Sequence, residues 1–507
     1  MEKSARLRLA IFVGAFSGFI ALSYEMVWYR VLYMMTQGIA ATFGLLLGAY
    51  LLGLAIGSRV SGSFCKGEGG NPHALRLLAI FVAVANLVAA IVGPIFAWSA
   101  KFTDFKIGLV VVAIGAAFLG AILPLVTHFG IDPDDRAGQK VSWVYLANIL
   151  GSSSGSLITG FVLMDHCSLM TIARILLVLG FLLAAVLALW GGAKRSLGGL
   201  GVATLAAFLL LPLSYDRIYE KLVFKDEYTG QHFQQVVENK SGVITVAEDG
   251  TVYGSGIYDG VVNTSIVEND KNWILRAYVV GALHPEPKNV LMVGLSSGSW
   301  AQVIANLPGV EHLTVIEINP GYHEIIAAHP QVASVLSNPK VTIHIDDGRR
   351  WLQRHADKFD VIVMNTTLHW RAHATNLLSL EFLEIARAHL EPNGLVFFNT
   401  TDSQDVQLTA ARAFPHLLRI TNHVAVSDSP FHFDRDRWKM ILDTMKIDDK
   451  PILDPVKDKA AYDSALGFLQ IELKESMLER VKVATVVTDD NMVIEWREPL
   501  RYPELSH

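Results

Sequence analysis

The sequence predicts two bodies of different class: a polytopic α-helical membrane domain of about seven transmembrane helices, then an α/β domain built on a doubly wound, mostly parallel sheet. Three observations carry this reading. The 507 residues are too many for one domain, and a mean hydropathy of +0.36 is high for a chain that only packs a soluble core. Apolar runs of spanning length fill the first 213 residues. Beyond residue 289, short apolar strands alternate with helical patterns, the signature of a parallel sheet covered by helices.

The apolar runs fall at about 9–29, 39–60, 77–98, 107–129, 142–164, 168–191 and 198–213, the last one short. Lys3, Arg6 and Arg8 precede the first run as they would in a signal peptide, but no small-residue cleavage site follows and Glu25 interrupts the run, so it reads as a retained helix. Basic residues on the N-terminal side of a seven-helix arrangement (Lys3, Arg6, Arg8, Arg59, Lys66 and others) outnumber those on the far side. Taken literally, that bias leaves the α/β half outside the cell. Supply of an ATP-derived cofactor argues the reverse, and the reading adopted is a multi-pass protein of the inner or plasma membrane with a cytoplasmic catalytic domain. Among polar groups at apolar depth, Glu25 is the candidate for function, because an ionisable side chain there is costly. His128 and Arg30 sit near helix ends, where snorkelling accounts for them, and Gly151-Ser-Ser-Ser-Gly155 reads as a close-packing surface. Cys65 and Cys167 make neither a disulfide framework nor a metal pattern.

From residue 214 to 230 a charged linker leads into a catalytic domain at 231–446 and an extension at 447–507. Alternating Val, Thr, Tyr and Gly between Gln231 and Ser265 predict a small antiparallel sheet, and Asn272–Leu283 a helix. Val290–Val293 is a buried strand followed by the small-residue turn Gly294, Ser296, Gly298 and a helix Trp300–Leu307, which could turn backbone N–H groups toward a ligand. Alone the turn is weak, since glycines also serve sterically between strands and helices. Its context is stronger: the strand His312–Ile318 carries Glu317 roughly 20 residues past the first glycine, where a nucleotide-binding α/β unit keeps its ribose-binding carboxylate. The strand Val341–Ile345 then runs into Asp346, Asp347 and Gly348. A strand Phe359–Asn365, a loop Thr366–Leu378, a helix Ser379–Leu390, a turn at Pro392-Asn-Gly394 and a strand Leu395–Asn399 follow, with a tail helix Lys459–Leu478 and a strand Val481–Val487. Ser427–His432 and Thr488–Asn491 are polar clusters that ordinary turns would explain, the first being the better second-site candidate.

Phe233-Gln234, Asp259-Gly260, the stretch Val290–Gly298, Val315-Ile-Glu-Ile-Asn-Pro320 and Asp347-Gly-Arg-Arg350 occur in the order of the motifs of the spermidine synthase family. The chain thus resembles those aminopropyltransferases, in the form fused to a membrane domain, over about Gln231 to Asp443. The resemblance implies a class I methyltransferase-like (Rossmann-type) fold that takes S-adenosylmethionine or its decarboxylated form as cosubstrate. It implies a cofactor site of Gln234, Gly294, Ser296, Ser297, Gly298, Glu317, Asp347 and Gly348, with Glu317 on the ribose, Asp347 on the adenine amine and Gln234 near the sulfonium. The departures are specific. Ser297 stands where the family's loop keeps an Asp for the cosubstrate amine, and Asn365-Thr-Thr-Leu368 replaces its catalytic Asp-x-x-Asp. A cationic polyamine needs carboxylates to bind it and to take its proton, which Asn365 cannot do. The loop His369-Trp-Arg-Ala-His373 instead leans positive, which suits a carboxylate. Asn365, His369, Arg371 and His373 are the catalytic candidates; two histidines without a third ligand make no metal site.

A net charge of −6 without a basic stripe excludes nucleic acid and leaves a small molecule and the lipid bilayer as partners, with homo-oligomerisation open. The leading expectation is a membrane-integrated transferase that breaks a C–S bond to move an aminopropyl or aminocarboxypropyl group and releases methylthioadenosine. Three alternatives stand beside it: a lyase in which the cosubstrate's own carboxylate closes a lactone, a methyltransferase, and a transporter whose soluble half senses a nucleotide.

Overall fold

The computed structural model describes residues 2–66, 72–102, 105–192, 194–267, 272–365, 368–467 and 470–497. The chain divides into two compact units, one of residues 1–232 with 238–243 and the other of residues 233–237 with 244–507.

Leu-, Ala-, Val- and Gly-rich sequence with few interior charges makes the first unit mainly helical. Among the described residues, seven helical spans, Lys3–Met35, Ala41–Phe64, Ala74–Ser99, Lys106–Gly130, Ala137–His166, Leu169–Trp190 and Leu197–Glu227, are long and apolar enough to cross a membrane. The span Ala137–His166 widens into a π-helical turn at Thr159–Leu163. Small residues set a close crossing between the first and fifth spans. A Cβ on Gly151 would lie 1.9 Å from the Ala15 carbonyl oxygen, and one on Gly155 2.2 Å from that of Phe19, so any larger residue at these positions would force the two helices apart. Large apolar side chains such as Leu52, Ile56, Phe161, Leu209 and Leu213 are exposed on the outward faces. Glu25 is buried within this unit, and both cysteines are free.

After the helical spans, β1 (Phe233–Asn239), β2 (Gly242–Ala247), β3 (Thr251–Gly254) and β4 (Ile257–Val261) form the small sheet in that order. The helix Leu275–Leu283 follows. The main sheet consists of β5 (Asn289–Val293), β6 (His312–Glu317), β7 (Val341–Ile345), β8 (Phe359–Met364), β9 (Leu390–Asn399), β10 (His416–Ile420), β11 (His423–Ser427) and a distant β14 (Ile471–Leu473). The short pair β12 (Lys446–Ile447) and β13 (Lys450–Pro451) stands apart. The main order is β14-β10-β11-β9-β8-β5-β6-β7. Strands β9, β8, β5, β6 and β7 are parallel, and β11, β10 and β14 add an antiparallel edge. Along β5, Val290 and Met292 enter the core on one face, Leu291 and Val293 the core on the other, which is why the strand reads as an unbroken apolar run. From β5 the chain moves outward through β6 and β7, then returns across β5 to β8 and β9. Strand order therefore reverses between β5 and β8, and a crevice at their carboxyl ends is where such sheets bind ligands.

The tail departs from the sequence reading. The single helix expected over Lys459–Leu478 is two helices, Lys459–Gly467 and Lys474–Arg480, divided by β14, which pairs with β10. Val481–Val487 is not a strand but irregular chain: Thr485 N–H donates to Asp405 and Val487 N–H to the Thr409 hydroxyl, while the Val487 carbonyl accepts from Leu380. Residues 366–367 of the expected loop lie outside the described residues, and its far end closes into a helical turn, Thr375–Leu378.

Candidate active site

The Gly-rich turn leaves β5 at Gly294, whose φ of +94° only glycine adopts without strain, and enters the helix Ser299–Ala305 at Gly298, φ +78°. Side chains stitch this loop to β4. The Ser296 hydroxyl donates to the Asp259 carbonyl, Ser297 Oγ to Ser299 Oγ at 3.0 Å, and Ser299 Oγ to the Val261 carbonyl at 2.8 Å. Gly260 permits the approach, since a Cβ there would stand 3.3 and 3.4 Å from the Ser296 and Ser297 hydroxyls.

Glu317 closes the other side. At the end of β6 its carboxylate accepts the Leu295 N–H and the Asn319 N–H, each at 2.7 Å, and only 5% of the residue is exposed. One oxygen thus holds the loop and the other the turn after β6. Burial pushes its pKa from 4.5 up to about 7, against those two hydrogen bonds, with the Asp259 charge also raising it. Asp259, half-buried, has its carboxylate bonded to the Tyr322 hydroxyl; burial lifts it from 3.8 to about 6, opposed by Tyr322 and the Arg371 charge.

Both acids therefore hold protons in the folded state that the unfolded chain has released. Where the native state binds more protons, stability falls as pH rises, here between about pH 4 and pH 7. Thermal melts of the full-length protein without ligand are expected to show a lower midpoint at pH 8 than at pH 5, and a shallower decline in Glu317→Gln. A midpoint that climbs through this window would reverse the assignment.

The remaining candidate residues are distributed as follows. Asp347 caps the helix Gly348–Arg354, accepting the Arg350 N–H at 2.8 Å, and Gly348 lets that helix start against Val293, 2.5 Å from where its Cβ would be. Gln234 is exposed, its carboxamide donating to the Glu248 carbonyl at 3.3 Å. Asn365, just past β8, begins a polar chain: Asn399 donates to it at 3.5 Å, Asn422 donates to Asn399 at 3.2 Å, and Arg276 donates to Asn422 at 2.7 Å. His369 is buried, with Nδ1 against the Thr401 hydroxyl. His373 is exposed at a φ of +69°, and its backbone N–H donates to Glu495, so the two histidines do not converge. Arg371 reaches the Gly254 carbonyl with Nη2 at 3.5 Å. Ser427 hydrogen-bonds the Gly394 carbonyl, and Asp489 pairs with Arg349 and Ser379, so both polar clusters have structural work in turns. Tyr322, Arg276 and Glu495 were not singled out from sequence; each joins the site across long separations that no local motif announces.

A family model, the spermine/spermidine synthase domain, matches residues 276–419. A polyamine aminopropyltransferase of Desulforudis audaxviator is 29% identical over 170 residues, 31% of this chain and 60% of its own length, so the chain spans under two thirds of that relative. Polyamine aminopropyltransferase 2 of Ralstonia nicotianae is 26% identical over 437 residues, 78% of this chain and 79% of that one. That alignment is longer than the second unit and so extends into the helical one. Among solved structures, spermidine synthase from Thermotoga maritima aligns at 20% identity with a TM-score of 0.34, covering 48% of this chain and 87% of its own. With the matched span covering β5 to β10, where the Gly-rich turn and Glu317 lie, the C-terminal part of this chain carries a spermine/spermidine synthase domain.

Proposed function

We propose that the protein is a membrane-integrated alkyl transferase that binds S-adenosylmethionine or its decarboxylated form at the β5–β8 crevice and cleaves the bond from sulfur to the aminopropyl or aminocarboxypropyl chain. The observation that carries this reading is Glu317: a buried carboxylate at the end of β6, tied through Leu295 to the Gly-rich turn, where it can exchange its main-chain donors for ribose hydroxyls. An uncharged nucleophile, an amine nitrogen with its lone pair free, attacks the carbon next to the sulfonium. The N–C bond forms as the C–S bond breaks, the electron pair stays on sulfur, and methylthioadenosine leaves as a neutral thioether. The acceptor's surplus proton needs a carboxylate, and Asp259 is the group placed to receive it. The helical unit supports multi-pass insertion, since Leu52, Phe161 and Leu213 face outward on spans of membrane length and lipid would cover them. Cosubstrate supply places the catalytic unit on the cytoplasmic side.

Chromatography of products formed by the purified full-length protein from each sulfonium cosubstrate and a mixture of amines tests the reading. Methylthioadenosine should accumulate. Release of S-adenosylhomocysteine instead would mean methyl transfer, and turnover of neither cosubstrate would overturn the assignment.

A further inference from the structure

Three helices of the first unit leave a groove open on its surface. It runs between the spans Ala74–Ser99, Leu169–Trp190 and Leu197–Glu227, has a volume of about 280 Å³, and is floored by Ala79, Ala83, Ala188, Gly199 and Ala203. Small side chains make it: each of these positions stops at a methyl or a hydrogen, so the helices cannot fill the space between them. A Cβ on Gly199 would meet nothing within 4 Å. Ile80 and Val84 stand exposed along the rim. At one end is Arg76. Its stem crosses Gly191, with Cγ 3.4 Å from where a Cβ there would be, and its Nε donates to the Gly191 carbonyl at 3.2 Å. Gly191 caps the C-terminus of Leu169–Trp190, so one edge of the guanidinium is spent on that helix end. The Nη groups bond no other described residue, and the side chain is exposed. None of the helices Pro72–Ser99, Leu169–Trp190 and Lys194–Tyr215 contains an Asp or a Glu, so nothing along them offers Arg76 a carboxylate. From Arg76 to Val84 is about 12 Å along the helix, at about 1.5 Å per residue. A bilayer's hydrocarbon core is about 30 Å thick, so this depth falls within one leaflet.

We propose that this groove is a binding site for an anionic phospholipid, with an acyl chain laid along the alanines and the headgroup phosphate on Arg76. The inference rests on the reading of the helical unit as membrane-inserted and is independent of the reaction. A cation at the end of a span, above an apolar channel that stays within one leaflet, has the layout of a single lipid: charge at the headgroup level, hydrocarbon below it. The phosphate accepts from the Nη groups that the Gly191 carbonyl leaves over, and the planar guanidinium meets two phosphate oxygens at once. Along the groove, methylenes cover Ile80, Val84 and the alanine floor, a surface that water would leave unpaired with anything. A zwitterionic headgroup brings its own ammonium to the same place. With no acid on the three helices to receive it, the headgroup that carries only the negative charge is preferred.

The test is native mass spectrometry of the full-length protein in detergent, offered phosphatidylglycerol and phosphatidylcholine of the same chain length, each with and without inorganic phosphate. The wild type should retain phosphatidylglycerol about fivefold more than phosphatidylcholine, the ratio that one well-placed cation supplies. Arg76→Gln should hold the two lipids alike. Gly199→Leu, which puts a side chain into the open groove without a clash, should lose the discrete adduct of both. Thermal midpoints in the same detergent report folding; should Arg76→Gln fail this control, Arg76→Lys replaces it, with a partial loss of preference expected. Equal retention of both lipids by the wild type, or an unchanged ratio in the Arg76 variant, overturns the site. Displacement of the lipid by inorganic phosphate would mean that Arg76 takes a free anion, and a dimer that forms on delipidation and is blocked by Gly199→Leu would mean that a second copy covers the groove; either overturns the lipid assignment. A protein that stays monodisperse with neither detergent nor lipid overturns the membrane reading and the site with it.

Discussion

Glu317→Ala is expected to abolish nucleoside binding, lowering the affinity for methylthioadenosine by at least two orders of magnitude. A hydrogen bond to a charged acceptor is worth roughly 1.5–3 kcal/mol, and a ribose diol makes two of them with one carboxylate. The damage extends past the missing contacts. Without the carboxylate the Leu295 and Asn319 N–H groups, both buried beside it, lose their acceptor, and the loop that shapes the crevice loses its tie to the end of β6. Glu317→Gln separates these effects, because its one carbonyl oxygen can still hold Leu295 or Asn319 but cannot accept from two ribose hydroxyls as a carboxylate does. Calorimetry with methylthioadenosine should rank wild type above Gln and Gln above Ala, with methylthioadenosine chosen because it carries no side chain to involve Asp259 or Arg371. Equal affinity across the three proteins would remove Glu317 from the site.

Much of this was legible in the sequence because its signals are periodic and local. An apolar run of spanning length needs no partner to be recognised, and the seven runs reappear as seven helical spans, extended at their ends by polar turns such as Lys3 to Arg8 that hydropathy discounts. Strands β5 and β8 are buried on both faces, so an unbroken Val, Ile, Leu and Met pattern betrays them. Where partners lie far away the sequence is silent. The alternation in Val481–Val487 looks like a strand, yet its N–H groups find Asp405 and Thr409 instead of a ladder. Ile471–Leu473 sits inside a helical pattern and becomes an edge strand only because β10 is there to pair with it. In the site, Glu317 was readable from its distance to the Gly-rich turn, whereas Tyr322 meets Asp259 across 63 positions. His369 and His373 have the spacing of neighbours on a helix, but the chain between them is a turn that buries one and exposes the other.

Decarboxylated cosubstrate and putrescine together should yield spermidine at a rate orders of magnitude below that expected with an acceptor that carries less positive charge. The cause lies in three positions. Ser297, Asn365 and Leu368 stand where the resembled family keeps acids, and Glu495, which reaches the loop after β8, is engaged by the His373 and Thr375 N–H groups. Asn365 is instead held in a run of carboxamides, Asn399 and Asn422, that ends on the cation Arg276. An ammonium entering a partly desolvated pocket without a counter-charge loses several kcal/mol relative to water, and each 1.4 kcal/mol is a factor of ten in occupancy. Putrescine carries two such groups. Asp259 can meet one of them, but the cosubstrate's own ammonium competes for it. Asn365→Asp should recover part of the loss, because an acid at the end of β8 both attracts the amine and takes its proton; the gain should appear first as a lower KM for putrescine. The measurement is a competition assay with both cosubstrates, with and without putrescine, on wild type and Asn365→Asp. Efficient spermidine formation by the wild type would refute the argument and would mean that an acid other than Asp259, such as Asp346 or Asp402 beyond the end of β9, serves the cationic acceptor.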